Sequence, residues 1–462
     1  MMISNDLPIL KQFVVNGQLF VYDTYKNIVI KVNKDVFNEI HRLKKVGNNA
    51  FLNEKNTDSH AYAAVVQLIN KGYFKANYVE SICHRDTSAL YDIVQGNVSD
   101  LTLQLSRDCN FNCRYCEFAH DNHAYRNHEK NNMSFELAQK CVDFLYEHSG
   151  DAPCITISFY GGEPLLNFDV LKKVVVYTEN LFQTKKVTYT FTTNGSLLNL
   201  DVINFVVKHN FIISISFDGP KKIQNKHRKF ALNGYDTYEL VCNNIKLFQR
   251  LYKNYFDEHV LILPVRFEDE SAEYISSFIT NSLHVVKDKI TIRDAVLQGI
   301  DYVHSSDVFT INKLNTNKVP IDPTIRTMLR DRLADKRPIS TQWHHNGPCI
   351  PSTKTLFIDV NGNFYPCEKC VEVECLSIGN IYDGFNYHNM DLLMNIGMIS
   401  EKECKSCWAM RFCNLCAIDC YDTDVKNISK ERKLIECDNQ RLQALTFLKE
   451  EIASRQSMSD DL

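Results

Sequence analysis

The chain has 462 residues, 44% of them hydrophobic, with 52 basic side chains against 56 acidic ones and a formal net charge of -4. That length exceeds one ordinary core and predicts two or three folded domains, while the near balance of charge excludes a field that would draw nucleic acid or an anionic membrane. No run of about eighteen apolar residues occurs, and the start, MMISNDLPILKQF, has neither a basic n-region nor an apolar stretch with a small-residue cleavage site. The expectation is a cytoplasmic protein with no nucleic-acid and no membrane partner.

In chain order, residues 12–32 (QFVVNGQLFVYDTYKNIVIKV) predict two alternating strands around a polar turn, and VFNEIHRLKK and AYAAVVQLINKGYF have helical spacing. Together they predict a small α+β domain over 1–80, followed by a linker over 81–97 with no strong pattern. From residue 98 to 300 strands and helices alternate: LTLQLS (101–106), CITISFY (154–160), VTYTFT (187–192), FIISISF (211–217), HVLILPV (259–265) and KITIR (289–293) read as strands. Helical segments separate most of them, such as SFELAQKCVDFLYEHS behind a Ser134 cap. Six strand-helix units imply a parallel sheet. Six falls short of the eight that close a complete barrel, so a partly open barrel and an open twisted sheet both fit. After a bridging region over 301–340, TLFIDVNGNFYPC carries Asn361-Gly362 between alternating apolar residues, a hairpin signal. It opens a cysteine-rich, loop-like domain over 341–445, and 446–462 read as a tail frayed at SRQSMSDDL.

Seventeen cysteines in a reducing compartment call for metal or cluster ligation rather than disulfides. Cys83, Cys141, Cys154 and Cys242 stand singly and read as small buried hydrophobes. The other thirteen form two groups. Cys109, Cys113 and Cys116, in SRDCNFNCRYCEF, follow the first strand of the alternating region, at a strand's C-terminal end where parallel α/β folds build their sites. Three thiolates can hold three irons of a four-iron cluster and leave the fourth open to a substrate; a zinc site, which usually wants four protein ligands, is the competing reading of the bare motif.

This CxxxCxxC after a first strand resembles the signature of the radical S-adenosylmethionine (SAM) superfamily. The resemblance implies a partial (β/α)6 barrel, an open iron that chelates the methionine amino and carboxylate groups, and reductive cleavage to a 5'-deoxyadenosyl radical. It also implies that Gly161, Gly162 and Glu163 of a GGEP element meet the SAM ammonium, that Asn194 of TTNG and Ser216 and Asp218 of SFDGP line the cosubstrate site, that Arg228 contacts the methionine carboxylate, and that Tyr115 lies beside the adenine. Gln224-Asn225 stand where sulfatase-maturing relatives tend to have His-Asp, and that pair is not carried over.

The ten cysteines from Cys349 to Cys437 resemble a SPASM domain, which holds auxiliary clusters. Two CxxC pairs five residues apart do not fit the wider spacing of a zinc ribbon. By position, the resemblance assigns Cys404, Cys407, Cys413 and Cys437 to one four-iron cluster and Cys349, Cys367 and Cys416 to another. The fourth ligand of the latter is open among Cys370, Cys375 and Cys420; Cys370 and Cys420 stand as candidates, and Cys375 reads as inert. The two residues between Cys413 and Cys416, where sulfatase-maturing enzymes have three, look more like maturases of cysteine-rich peptides. The N-terminal pattern resembles the winged-helix-like element that binds a leader peptide as an added strand. The combined expectation is a radical SAM maturase of the sactipeptide or ranthipeptide type. It would install thioether crosslinks in a ribosomally made precursor peptide, using one radical SAM cluster, two auxiliary clusters, SAM, and an electron donor such as flavodoxin or ferredoxin. Carbon-carbon crosslinking of a peptide and sulfatase-type oxidation of a protein residue are the alternatives.

Overall fold

A computed structural model describes residues 6–54, 59–76, 79–116, 128–267, 269–295, 321, 323–353 and 355–460. These form two compact units, one drawn from Met1–Ser88, Val303–Cys349 and Asp391–Leu462, the other from Ala89–Tyr302 and Ile350–Met390. The first half of the expected bridging region, 301–320, lies outside the described residues.

The first unit opens with an antiparallel sheet of β1 (Leu10–Val15), β2 (Gln18–Asp23) and β3 (Ile28–Val32), followed by helices α1 (Lys34–Val46), α2 (Asn48–Leu52) and α3 (His60–Asn70). Three strands replace the expected two because Asn16 (φ 50°) and Gly17 (φ 74°) make a two-residue turn that pairs Val15 with Gln18. Positive φ at both positions is the geometry for which Asn-Gly is suited. Alternation along the strands serves two cores. Leu10 and Val21 face α1 to α3 with Ile40, Leu43, Phe51, Val65 and Phe74. Phe13, Val15, Phe20 and Tyr22 face the other way, onto Ala409 and Phe412 of the cysteine-rich segment and Ala444, Phe447 and Leu448 of the helix Lys430–Asp460. That anchorage explains why the expected frayed tail is helical up to Asp460. The expected linker also carries structure: β4 (Ser81–Ile82) pairs in parallel with Gln342–Trp343, burying Ile82, and α4 (Leu90–Gly96) follows.

In the second unit, β5 (Asp100–Ser106) is followed by β6 (Phe111–Cys113), α5 (Phe135–His148), β7 (Cys154–Gly161), α6 (Phe168–Leu181), β8 (Lys186–Thr193), α7 (Leu200–Lys208), β9 (Ile212–Ile215), α8 (Lys221–His227), β10 (Arg228–Phe230), α9 (Tyr238–Leu251) and β11 (Val260–Ile262). Strands β11, β9, β8, β7 and β5 lie side by side, all parallel. Their inward residues, among them Leu101, Leu103, Ile157, Phe159, Phe191, Ile213 and Ile215, are buried, and each such side chain contributes about 1.5–3 kcal/mol. Ser134 and Asn199 cap α5 and α7 by accepting from the backbone N–H groups of Leu137 and Val202.

Two features depart from the sequence reading. KITIR is no full strand: Ile290 bridges Ile262, and Arg293–Asp294 pairs with Val265–Arg266, so this edge is ragged. Beyond β5 the sheet continues instead with Leu356–Ile358, parallel to β5, and the antiparallel strands Asn363–Tyr365, Gly379–Asn380 and Gly384–Phe385. The Asn361-Gly362 hairpin is present, with Gly362 at φ 88°.

Candidate active site and cysteine clusters

Because the strands are parallel, the segments after β5, β7, β8 and β9 converge on one edge of the sheet. Cys109 leaves the end of β5, and β6 then pairs antiparallel with β10 so that Cys113 lies opposite Arg228. Cys109 is half-buried and Cys113 buried; Cys116 is half-buried, with its Sγ 3.8 Å from His128 Nε2. Cys109 Sγ accepts from the Phe111 N–H (3.4 Å) and lies 3.8 Å from Asn194 Nδ2. Burial pushes the Cys109 thiol up, and pushes Cys113 up to about 12 against the pull of Arg228; the three thiols also repel one another when ionised. Buried thiols in mutual reach fit a group whose metal charge replaces their protons, as an iron-sulfur cluster does. Among the described residues no three Cys, His, Asp or Glu side chains close around a single ion, and a four-iron cluster needs its thiolates around a wider core.

The GGEP element supports this loop. The Gly162 and Glu163 N–H groups donate to the carbonyls of Ser106 and Asp108 at 2.8 and 2.9 Å. A Cβ on Gly161 would lie 2.0 Å from the Ser106 carbonyl oxygen, and one on Gly162 would lie 2.3 Å from that of Asp108. Only glycine allows the two backbones to approach so closely. Glu163 is fully buried and its carboxylate accepts three hydrogen bonds, from Thr193 Oγ1 (2.8 Å), Leu165 N (3.1 Å) and Asn194 N (2.7 Å). Within the described residues this side chain ties the end of β7 to TTNG.

Burial raises Glu163 to about 7. The folded chain therefore keeps a proton that the unfolded chain has released, and stability falls as pH rises from the ordinary carboxylate value to about 7. Against Glu163→Gln, which does not titrate, apo wild type should lose up to about 3 kcal/mol between pH ~5 and ~7.5. Denaturant melts of both proteins at the two pH values check this, and a constant difference between them would refute it.

After β9, Asp218 is buried and holds Arg228 Nε at 3.0 Å, the Tyr115 hydroxyl at 2.8 Å and the Val265 N–H at 3.0 Å. Arg228 Nη1 lies 3.9 Å from Cys113 Sγ, and its guanidinium is 5.2 Å from the Tyr115 ring. Tyr115, Asp218, Arg228 and Cys113 thus form one network. Asn194 joins Cys109 to Asn110 (Nδ2 to Oδ1, 2.8 Å), while the Ser216 N–H bonds the Thr193 carbonyl at 2.8 Å. Gln224 and Asn225 serve the frame: Gln224 Oε1 accepts from the Asp218 N–H, and Asn225 Oδ1 accepts from the N–H groups of Thr237 and Tyr238.

Sequence reasoning missed two groups here. His227 is buried, stacked on Phe267 (4.0 Å) and 2.8 Å from Glu270 Oε1, with Tyr115 6.1 Å from Phe267. Arg107 bridges Glu129 (2.6 Å), Glu372 and Asp359 (3.7 Å). Both lie within two residues of a motif position, but neither matches a motif.

In the first unit, Cys404, Cys407, Cys413 and Cys437 lie within electrostatic reach of one another, and burial pushes Cys407, Cys413 and Cys437 up. Lys433 Nζ reaches Cys404 Sγ at 3.4 Å; burial works against its charge, and the thiols of Cys404 and Cys437 outweigh that. Cys416 and Cys420 also sit in this unit, with the Cys420 thiol donating to the Cys416 carbonyl at 3.3 Å, and Cys349 is exposed. Cys367 and Cys370 belong to the second unit, where a hydrogen bond from Cys370 holds Cys367 below the usual thiol value. Cys375 is half-buried there. Of the solitary cysteines, Cys141 and Cys242 are buried as expected; Cys83 is half-buried, and Cys154, the first residue of β7, is exposed.

Residues 103–275 match the Radical SAM superfamily. With its cysteine loop and sheet-edge motifs inside this match, the chain is similar to radical SAM enzymes, whose chemistry uses a four-iron cluster and SAM. It is related to the cysteine-type anaerobic sulfatase-maturating enzyme of Clostridium perfringens, at 26% identity over 334 residues that cover 67% of this chain and 85% of that enzyme. It is also similar to the radical SAM cyclopropyl synthase TigE of Paramaledivibacter caminithermalis, at 24% identity over 234 residues that cover 48% of this chain and 45% of TigE. The fold resembles that of native anSMEcpe with bound AdoMet (TM-score 0.54, 20% identity, 77% of this chain and 99% of that one). It likewise resembles anSMEcpe with AdoMet and the Cp18Cys peptide (TM-score 0.52, 20% identity, 78% and 99%). The second unit is accordingly an α/β partial barrel of this type. Among the described residues no helix is long and apolar enough to cross a membrane.

Proposed function

We propose that the chain is a cytoplasmic peptide maturase that crosslinks a ribosomally made precursor, most simply by thioethers from cysteine, with a leader strand held by the N-terminal sheet. The observation that carries this reading is the shared core of the first unit. One face of the N-terminal sheet packs, through Phe13, Phe20 and Tyr22, on Ala409 and Phe412, which lie between Cys407 and Cys413. Thr24 Oγ1 and the Trp408 carbonyl, 3.3 Å apart, add to that union. A peptide added to this sheet would be bound by the same body that carries Cys404, Cys407, Cys413 and Cys437. Strand β3 pairs only with β2 among the described residues, and strand addition needs such an edge.

Cys109, Cys113 and Cys116 would hold the radical SAM cluster, and Cys404, Cys407, Cys413 and Cys437 one auxiliary cluster. The set built on Cys349, Cys367 and Cys416, with Cys370 or Cys420, rests on the resemblance alone. When bound, the first cluster supplies one electron, from a donor such as flavodoxin or ferredoxin, for SAM cleavage. The chain's own contribution is positional. Gly161, Gly162 and Glu163 fix the cysteine loop and TTNG, Asn194 orients Cys109, and Asp218 holds Arg228 and Tyr115 against Cys113.

The shared core also makes deletion of the N-terminal sheet a poor test, because it would expose Phe13, Phe20 and Tyr22 together with their partners. The better experiment uses synthetic peptides of the short reading frames flanking the gene, with intact enzyme, SAM and reductant. The expected result is a peptide lighter by two hydrogens per crosslink, one fewer alkylatable thiol per crosslink, and slowed amide exchange at Ile28–Val32. Product with all thiols still alkylatable would replace thioethers by carbon-carbon bonds. Unchanged exchange in β3 would remove leader binding from this sheet.

The 85% coverage of the sulfatase-maturating enzyme favours a second reading, oxidation of a protein cysteine or serine. A sulfatase-derived peptide turned over faster than every flanking peptide would establish it.

A further inference from the structure

We propose that Lys433, with Arg441, is a fixed cationic stripe that raises the reduction potential of a cluster held by Cys404, Cys407, Cys413 and Cys437. This inference rests on the ligand set proposed above. Lys433, Cys437 and Arg441 follow one another at intervals of four on the helix Lys430–Asp460, so one face presents a ligand thiol between two cations. Lys433 is 1% exposed. Its Nζ donates to Ser400 Oγ at 2.5 Å and to Cys404 Sγ at 3.4 Å, and Ser400 Oγ is itself 3.5 Å from that sulfur. Arg441 reaches the Cys407 thiol and also pairs with Asp438 at 2.9 Å.

A buried ammonium without a counter-charge is costly. Among the described residues no ion pair joins Lys433 to a carboxylate; the groups its ammonium meets are the Cys404 sulfur and the Ser400 hydroxyl. One-electron reduction of a cluster adds one negative charge and no proton, so a desolvated cation beside a ligand sulfur favours the reduced form. The first cysteine group is different. There the cation near Cys113, Arg228, is already neutralised by Asp218, itself fully buried. Lys433 therefore has more uncancelled charge to act on its sulfurs than Arg228 has. Arg441 should act in the same direction but less, since its side chain is one-third exposed and shared with Asp438.

The test uses full-length protein, reconstituted anaerobically, carrying Cys109→Ala, Cys113→Ala and Cys116→Ala so that only auxiliary signals remain. Iron per chain is measured first, and then the midpoint potential is followed by electron paramagnetic resonance against dithionite-poised mediators. Lys433→Met should lower the reduced-to-oxidised ratio at a fixed ambient potential at least tenfold, which is about 59 mV for a one-electron couple. Lys433→Arg should keep the parent value, and Arg441→Met should shift it the same way by less. A parent that binds no iron overturns the ligand set and the inference with it. Full iron with an unmoved potential in Lys433→Met overturns the inference alone, as does Lys433→Arg behaving like the Met variant. Should Lys433→Met lose its iron, Arg441→Met decides: iron retained with an unmoved potential overturns the proposal.

Discussion

Simultaneous replacement of Cys109, Cys113 and Cys116 by alanine should abolish SAM cleavage and remove one cluster's iron, about a third of the total if two auxiliary clusters are present. The effect should be chemical rather than structural. The loop that carries these residues is held by backbone pairing of β6 with β10 and by the Gly162 and Glu163 N–H groups, none of which the substitutions touch. Each change removes one sulfur atom, and the cost in apo stability should be about 1 kcal/mol or less per site. Cleavage is different, because a cluster can bind the cosubstrate only through an iron without a protein ligand, and three thiolates on a four-iron core leave one such iron. Iron analysis, visible absorbance and 5'-deoxyadenosine release check this together. Zinc in place of iron, without broad visible absorbance, would sink the assignment, as would a variant that still cleaves SAM.

The parts of this site legible in the sequence are those fixed by local chemistry. SRDCNFNCRYCEF, GGEP, TTNG and SFDGP each follow an apolar strand, and a strand's end is readable from its residues. What they do for one another was not readable. Glu163 is legible as the acidic member of GGEP, but its three hydrogen bonds to protein groups are not, because the register of β7 against β8 is what brings Thr193 and Asn194 to it. Long-range partners were hidden for the same reason. Leu356–Ile358 joins β5 across some 250 residues, and an N-terminal sheet shares its core with cysteine-loop residues 409 and 412. Both pairings are set by tertiary packing, which no local period encodes. The third N-terminal strand is another matter: the segment holds two polar turns, Asn16-Gly17 and Asp23–Asn27, and the first, flanked by alternating apolar residues, is itself a local hairpin signal.

Arg228→Met should destabilise the second unit by about 3–5 kcal/mol, the cost of leaving one member of a buried ion pair without the other. Asp218 is fully buried and Arg228 only 5% exposed, so water cannot take over the lost contact. The carboxylate would keep the Tyr115 hydroxyl and the Val265 N–H, both neutral donors that solvate a charge less well than a guanidinium. Because Arg228 lies opposite Cys113 in the β6–β10 pair, the damage should concentrate where the cysteine loop is held. Adding Asp218→Asn to Arg228→Met removes the stranded charge, and the double variant should be more stable than the single one. That sign separates an electrostatic cost from lost packing, which a second substitution would only deepen. Thermal melting of the apo proteins, with hydrogen exchange at Phe111–Cys113 to localise the change, provides the measurement. If Arg228→Met melts like wild type and loses only SAM cleavage, then Arg228 serves the cosubstrate alone and its pairing with Asp218 contributes nothing to the fold.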